Sequence, residues 1–194
     1  RLRGNDRNDR IVIASSFLSS LHTQPAVSAG DACRWASGGD NGMDMDIRYR
    51  FMQSGEEEKV CSLVEKVFNE FVAPDYAREG VDEFFKFANP AALAGRAGTE
   101  QLVMVAEQGS DFVGIIEMCN CDHIAMLFVS HRGRGIAREL VGRAVGECRK
   151  RQPDLKRITV NSSLFAEPVY SRMGFKATGA IQKKNGIIFI PKAC

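Results

Sequence analysis

Ile124-Ala125-Met126-Leu127-Phe128-Val129-Ser130-His131-Arg132-Gly133-Arg134-Gly135-Ile136-Ala137-Arg138-Glu139-Leu140 decides how this chain reads. The apolar run Ile124–Val129 has the length of a buried strand, and Gly133 and Gly135 mark a turn just beyond it. From about residue 135 to 151 the apolar residues Ile136, Leu140, Val141, Ala144, Val145 and Cys148 then recur at helical spacing. A strand that passes through a glycine turn into a helix presents several backbone N–H groups to one anion. The helix N-terminus contributes about half a positive charge there, and Arg132 and Arg134 contribute whole ones. A phosphate or pyrophosphate would be well held, the competing reading being an ordinary glycine turn with exposed arginines. The turn is not a Walker A loop, because no G-x-x-x-x-G-K-[ST] occurs in the chain. It is also a poor dinucleotide fingerprint, since the third glycine position holds Glu139 or Arg138.

Outward from this stretch the pattern stays regular. Upstream, Leu102–Ala106 and Phe112–Met118 are short strands separated from each other and from Ile124–Val129 by Gly109-Ser110-Asp111 and Asn120-Cys121-Asp122, which predicts an antiparallel meander. Earlier still, Ile47, Tyr49 and Phe51 alternate as a half-exposed strand. Ser54-Gly55-Glu56-Glu57 fits a capping box opening a helix over 56–72, and 81–89 is a second, shorter helix followed by a Gly/Ala-rich connection. Downstream, Ile158–Val160 is a strand and Ala166–Met173 a helix ended by Gly174. Two last strands flank Lys184-Asn185-Gly186, a strong hairpin signal. The order βααβββαβαββ predicts a single α/β domain with a mixed, mostly antiparallel central sheet flanked by helices.

The chain's 194 residues suffice for one domain with a substantial core. Lys and Arg number 26 against 24 Asp and Glu, a formal net charge of +2, which gives no global field for a nucleic acid. Arg132, Arg134, Arg138, Arg143, Arg149, Lys150 and Arg151 alternate with Glu139 and Glu147, so they read as a solvated face. No apolar run approaches the ~18 residues of a membrane span. The six cysteines form no C-x-x-C pair, and Cys61 and Cys148 lie in apolar helical stripes, which suggests a reducing, cytoplasmic setting. Cys119-x-Cys121-x-His123 would stretch ~13 Å along a strand, too far to share one ion, so no metal is expected.

Residues 1–44 read differently from the rest. Four arginines fall in the first ten residues, a serine-broken apolar run comes next, and a Ser/Gly/Asp-rich stretch leads to Gly42. They carry a faint likeness to a secretory signal. The better expectation is an N-terminal extension, disordered or outside the native coding sequence, with Met43 or Met45 as a start and the domain occupying 45–194.

Two segments together resemble the GNAT N-acetyltransferases. Arg132-Gly133-Arg134-Gly135-Ile136-Ala137 fits that family's pyrophosphate loop, [QR]-x-x-G-x-[GA], and Met126–Val129 resembles the strand that pairs with pantetheine. Val160-Asn161-Ser162 and Tyr170-Ser171-Arg172-Met173-Gly174-Phe175 are similar to the family's strand, Asn, helix and Tyr-x-x-x-Gly-Phe run. The resemblance covers about 46–194. It implies splayed central strands, Ile124–Val129 and Ile158–Val160, with acetyl-CoA in the wedge between them. Backbone groups of Leu127 and Val129, which the splay leaves without a strand neighbour, would pair with pantetheine. The implied cofactor residues are Leu127, Phe128, Val129, Arg132, Gly133, Arg134, Gly135, Ile136, Ala137, Asn161 and Tyr170. The implied reaction is direct attack of a primary amine on the thioester, with an acyl-CoA sensor on the same fold as the alternative.

Such chemistry needs an acid and a base. Tyr170 stands where the family carries the acid that protonates the leaving thiolate. For the base, His123 lies four residues before Leu127, where histone-type relatives have a glutamate, and an imidazole of pKa ~6.5 suits the task. Glu117, in the apolar run Ile115–Met118, is the other candidate, because a carboxylate among such residues wants a partner or a purpose. Phe84, Phe85, Phe87 and Tyr76 lie in the segment that often borders the acceptor, a small-molecule amine or a peptide. Their packing in the core is the competing reading. A homodimer is compatible with the sequence.

Overall fold

The computed structural model describes residues 12–13, 47–97, 101–131 and 133–194. Val12–Ile13 forms β1 and Ile47–Phe51 forms β2. The helix α1 (Glu57–Phe71) comes next, its buried stripe made of Val60, Cys61, Leu63, Val64, Val67 and Phe68. Ser54 does not cap it: Glu56 occupies that position, and its carboxylate takes Gln53 N at 2.8 Å and the Arg50 guanidinium at 2.7 Å. Arg50 also bonds Glu107, so one guanidinium ties β2 to the start of α1 and to a neighbouring strand. These bonds hold the Glu56 carboxyl down to about 2.

A single 3-10 turn at Ala73–Asp75 leads to α2 (Arg78–Phe87). The Gly/Ala-rich connection expected after it is instead a third helix, α3 (Pro90–Arg96). Asn89 caps it by accepting the Ala92 N–H at 2.9 Å, and Pro90 fills the first position, where no N–H is needed. Then come β3 (Gln101–Gln108), β4 (Asp111–Cys119), β5 (His123–Val129) and α4 (Ile136–Arg151). The chain closes with β6 (Thr159–Ser162), α5 (Glu167–Arg172), a two-residue β7 (Lys176–Ala177), β8 (Gln182–Lys184) and β9 (Ile187–Ala193).

The sheet runs β2-β3-β4-β5-β6-β9-β7, with β1 on β5 and β8 on β9. Only β5–β6 is parallel among these pairs. The fold is thus the expected α/β type, a mixed and mostly antiparallel open sheet between helices. The expectation that 1–44 stands apart falls mainly outside the described residues. Val12–Ile13 is the exception, adding a strand where sequence reading placed none.

Both faces of the central strands are covered, which is why they read as continuous apolar runs rather than alternations. On one face α4 packs Ile136, Leu140, Val141 and Val145 against Met104, Ile116, Leu127 and Val129. On the other, α1 to α3 pack against Val105, Ile115, Met126 and Phe128. Phe68 and Phe84 stack there at 3.9 Å, each ring burial being worth roughly 2–3 kcal/mol. Gly114 on β4 allows α4 its close seat, since a Cβ there would stand 2.9 Å from Leu140 Cδ1.

Candidate active site

The site is built where β5 and β6 part. The two are in parallel register only at His123 with Thr159 and Ile124 with Val160. Beyond these pairs β6 is held on its other side by β9, while β5 runs on to Val129. The edge of β5 is not left empty: Ile13 pairs with Leu127 and Val12 with Phe128, antiparallel. This corrects the expectation that Leu127 has no strand neighbour there.

After β5 the chain turns through Gly133 and Gly135 into α4. Both glycines hold positive φ, 76° and 73°, a left-handed region that costs other residues roughly 1–2 kcal/mol. A Cβ at either would meet nothing within 4 Å, so the backbone at the N-terminus of α4 stands open to approach. Arg134 reaches back to Gln108, its Nη1 donating to Oε1 at 2.9 Å. His131 is exposed, its Nδ1 2.9 Å from Ser130 Oγ. Arg132 lies outside the described residues, while Ile136 and Ala137 are buried in the first turn of α4.

Across the wedge, Asn161 sits half-buried on β6 opposite Pro191 of β9. Tyr170, on α5, is fully buried with its ring edge-on to Phe175 at 5.2 Å. Its hydroxyl meets no hydrogen-bond partner among the described residues, and burial pushes the phenol well above its ordinary range. A buried hydroxyl left unsatisfied costs about 1–3 kcal/mol, a cost that a ligand atom placed beside it would remove. Lys192 anchors the helix that carries it. This lysine is itself buried, with Nζ 2.7 Å from Glu167 Oε1 and 2.5 Å from Ser171 Oγ, one turn before Tyr170 and one residue after it. Those donors push the Glu167 carboxyl below its usual value. The sequence signal for this anchor was a lysine closing the apolar run Ile187–Pro191.

The two candidate bases have different surroundings. Glu117 is fully buried, yet both its oxygens face Arg96, with Nε at 2.9 Å and Nη2 at 3.2 Å. Arg96 also stacks 3.6 Å over the Phe87 ring and donates to Phe87 O, so this pair fastens α3 to β4. His123 is 6% exposed and opens β5, with Nδ1 2.8 Å from Thr159 Oγ1. Its cross-strand partner Cys119 packs on the face of α1 to α3, whereas Ile124 shares the α4 face with Tyr170. Facing residues of an antiparallel pair project to the same side. His123 and Tyr170 therefore lie on opposite faces of the sheet, His123 on the paired stretch from which β5 and β6 part.

Of the aromatic residues read as bordering an acceptor, Phe84 and Phe87 are buried in the core, and Tyr76 and Phe85 pack at its margin. A depression of about 530 Å³ lined by Asp122, Gln152, Asp154, Arg157 and Thr159 lies at the C-terminal end of α4, away from the glycine turn. Among the described residues no group of three or more His, Cys, Asp or Glu could hold a metal, and no helix is long and apolar enough to cross a membrane.

The family profile described as an acetyltransferase (GNAT) domain matches residues 72–194. Among solved structures, the chain is similar to a GCN5-related N-acetyltransferase from Rhodopseudomonas palustris, with TM-score 0.64 and 21% identity over 76% of this chain and 94% of that one. It is also similar to PaiA N-acetyltransferase from Thermoplasma acidophilum in complex with coenzyme A, with TM-score 0.60 and 17% identity over 76% and 98%. A third is ribosomal-protein-S5-alanine acetyltransferase from Vibrio fischeri, at TM-score 0.56 and 16% identity over 77% and 92%. No curated protein matches the chain.

Proposed function

Because the chain belongs to the GNAT acetyltransferase family, we propose that residues 45–194 transfer the acetyl group of acetyl-CoA to a primary amine by direct attack on the thioester. The observation that carries this reading is the glycine turn. Two left-handed glycines open the N-terminus of α4 beyond the end of β5, the strand that parts from β6 after Ile124, an arrangement suited to a pyrophosphate at the turn and a narrow arm along the strand. Gly133, Gly135, Ile136 and Ala137 would hold the phosphates through backbone N–H groups, with Arg132 and Arg134 supplying charge. Leu127, Phe128, Val129 and Asn161 would line the arm, which would take the edge that Val12–Ile13 occupies. Acetyl-CoA, when bound, supplies an activated acyl carbon and a thiolate leaving group.

The acceptor sets the demand on the protein. A lysine-like amine of pKa ~10.4 is neutral in about one molecule in 2,500 at pH 7, a deficit of ~4.6 kcal/mol. His123 would take one proton from the ammonium, and the freed amine would attack the thioester carbon to form the C–N bond. As the C–S bond breaks, the attacking nitrogen would give up its second proton, which restores the Tyr170 phenol. Tyr170 gives its phenol proton to the departing sulfur. The placement of the two groups on opposite faces of the sheet supports this division, one serving the amine and the other the thiolate. The Arg96 pair favours a structural role for Glu117, leaving His123 as the base.

The test is thiol release from acetyl-CoA across simple amines, polyamines and peptides. Acceptor-dependent release is expected. Tight cofactor binding with no release from any acceptor would favour a sensor, and absence of cofactor binding by a folded protein would overturn the reading.

A further inference from the structure

We propose that Thr159 is a positioning residue that fixes the His123 tautomer with the proton on Nδ1, so that Nε2 is the basic nitrogen. The inference rests on the reading of His123 as the base and adds which atom acts and what prepares it. Thr159 Oγ1 stands between two partners, His123 Nδ1 at 2.8 Å and the backbone oxygen of Asp122 at 3.1 Å. A threonine hydroxyl has one proton and two lone pairs. The Asp122 carbonyl can only accept, so the contact to it requires the hydroxyl proton to point that way. A lone pair of Oγ1 then faces the ring, and Nδ1 must be the donor. The reverse assignment, with the hydroxyl donating to Nδ1, leaves two oxygen atoms facing each other 3.1 Å apart with no proton between them.

The backbone leaves Thr159 little room to choose otherwise. It pairs with His123 on one side and with Ala193 on the other, and its own N–H donates to the same Asp122 oxygen at 2.7 Å. With N–H and Oγ1 both gripping one carbonyl, and with χ1 restricted by β-branching, the hydroxyl is held at a fixed place beside a ring that is itself buried. The parallel register at His123 and Thr159, the last stretch before β5 and β6 part, thus sets the orientation of the group that would meet the amine.

The experiment uses 15N-histidine-labelled full chain at a pH where the ring is neutral, with His123 assigned among the three histidines by comparison with His123→Gln. The Nδ1-protonated shift pattern is expected. Thr159→Val, which keeps shape and removes the hydroxyl, is expected to move His123 toward the Nε2-protonated form and lower kcat about tenfold with KM for acetyl-CoA unchanged. Thr159→Ser is expected to restore both the spectrum and the rate. An Nε2-protonated pattern in the unmodified chain, or a spectrum unmoved by Thr159→Val, would overturn the tautomer assignment whatever the rates do. A His123→Gln enzyme of undiminished kcat would overturn the role of His123 as base, and with it any effect of Thr159 on turnover, whatever the spectrum shows.

Discussion

The strand β5 has two different neighbours along one edge. At its start it is bound to β6 through backbone and side chains together, with Thr159 gripping both Asp122 and His123. Four residues later β6 has gone and Val12–Ile13 supplies the pairing. The first neighbour is integral to the fold. The second lies where the cofactor arm would lie, and the bonds it makes are of a kind that any extended amide-bearing chain can make. One strand therefore carries a built end and an exchangeable end, and the proposed base, His123, stands at the built one.

The largest effect is expected between the two ends, where α3 is fastened to β4 at Glu117, the residue opposite Met126 of β5. Arg96→Met leaves Glu117 buried without its counter-charge, and loss of one member of such a pair costs about 3–5 kcal/mol. A fall in denaturation midpoint of corresponding size is expected, and Arg96→Met combined with Glu117→Leu should recover most of it. If the single variant is as stable as the parent, the pair contributes nothing to holding α3 on the sheet.

At the exchangeable end, Gly135→Glu places a side chain on a left-handed residue and a negative charge at the N-terminus of α4. Binding of acetyl-CoA, measured by calorimetry, should weaken by about 100-fold or more, with the melting temperature lowered only by a few degrees. Wild-type affinity would remove the phosphates from this turn. Tyr170→Phe tests the proposed acid. It should lower kcat by about 100-fold, the lower range for loss of a general acid, with little change in cofactor affinity. The hydroxyl has no partner among the described residues, so its removal should leave stability unchanged or slightly raised. A buried tyrosine that meant only packing would leave kcat unchanged.

How much of this was legible depended on the distance over which the deciding contact acts. The glycine turn could be read because its signal is local, glycines at left-handed positions followed at once by a helical stripe. The hairpins and the long helices α1 and α4 were legible for the same reason. The helix α3 was missed because alanines and glycines suggested a linker, although Asn89-Pro90 announces a cap and a first-position proline. The partner of Glu117 could not be seen, because Arg96 lay in that supposed linker, 21 residues away. Lys192 required knowing that β9 lies against α5. The Thr159 grip required a parallel register joining residues 36 apart. The strand β1 was illegible for another reason: two residues are too few to show a period.

That last strand allows the comparison to be tested at its smallest effect. Replacing Val12 and Ile13 by proline removes both N–H donors of β1 and leaves β5 untouched. Each backbone hydrogen bond contributes a net 0.5–1.5 kcal/mol or so. A competitor held by one or two of them would raise the apparent dissociation constant of acetyl-CoA by about 2- to 10-fold. The double proline variant should accordingly bind acetyl-CoA about 2- to 10-fold more tightly than the full chain, with kcat at saturating cofactor unchanged, since His123, Thr159 and Tyr170 are not touched. A peptide spanning residues 8–17, added to the variant, should restore the weaker binding in proportion to its concentration. Weaker binding by the variant itself would reverse the meaning of the second neighbour. Val12–Ile13 would then be a wall of the cofactor site rather than its rival, and both ends of the β5 edge would count as built.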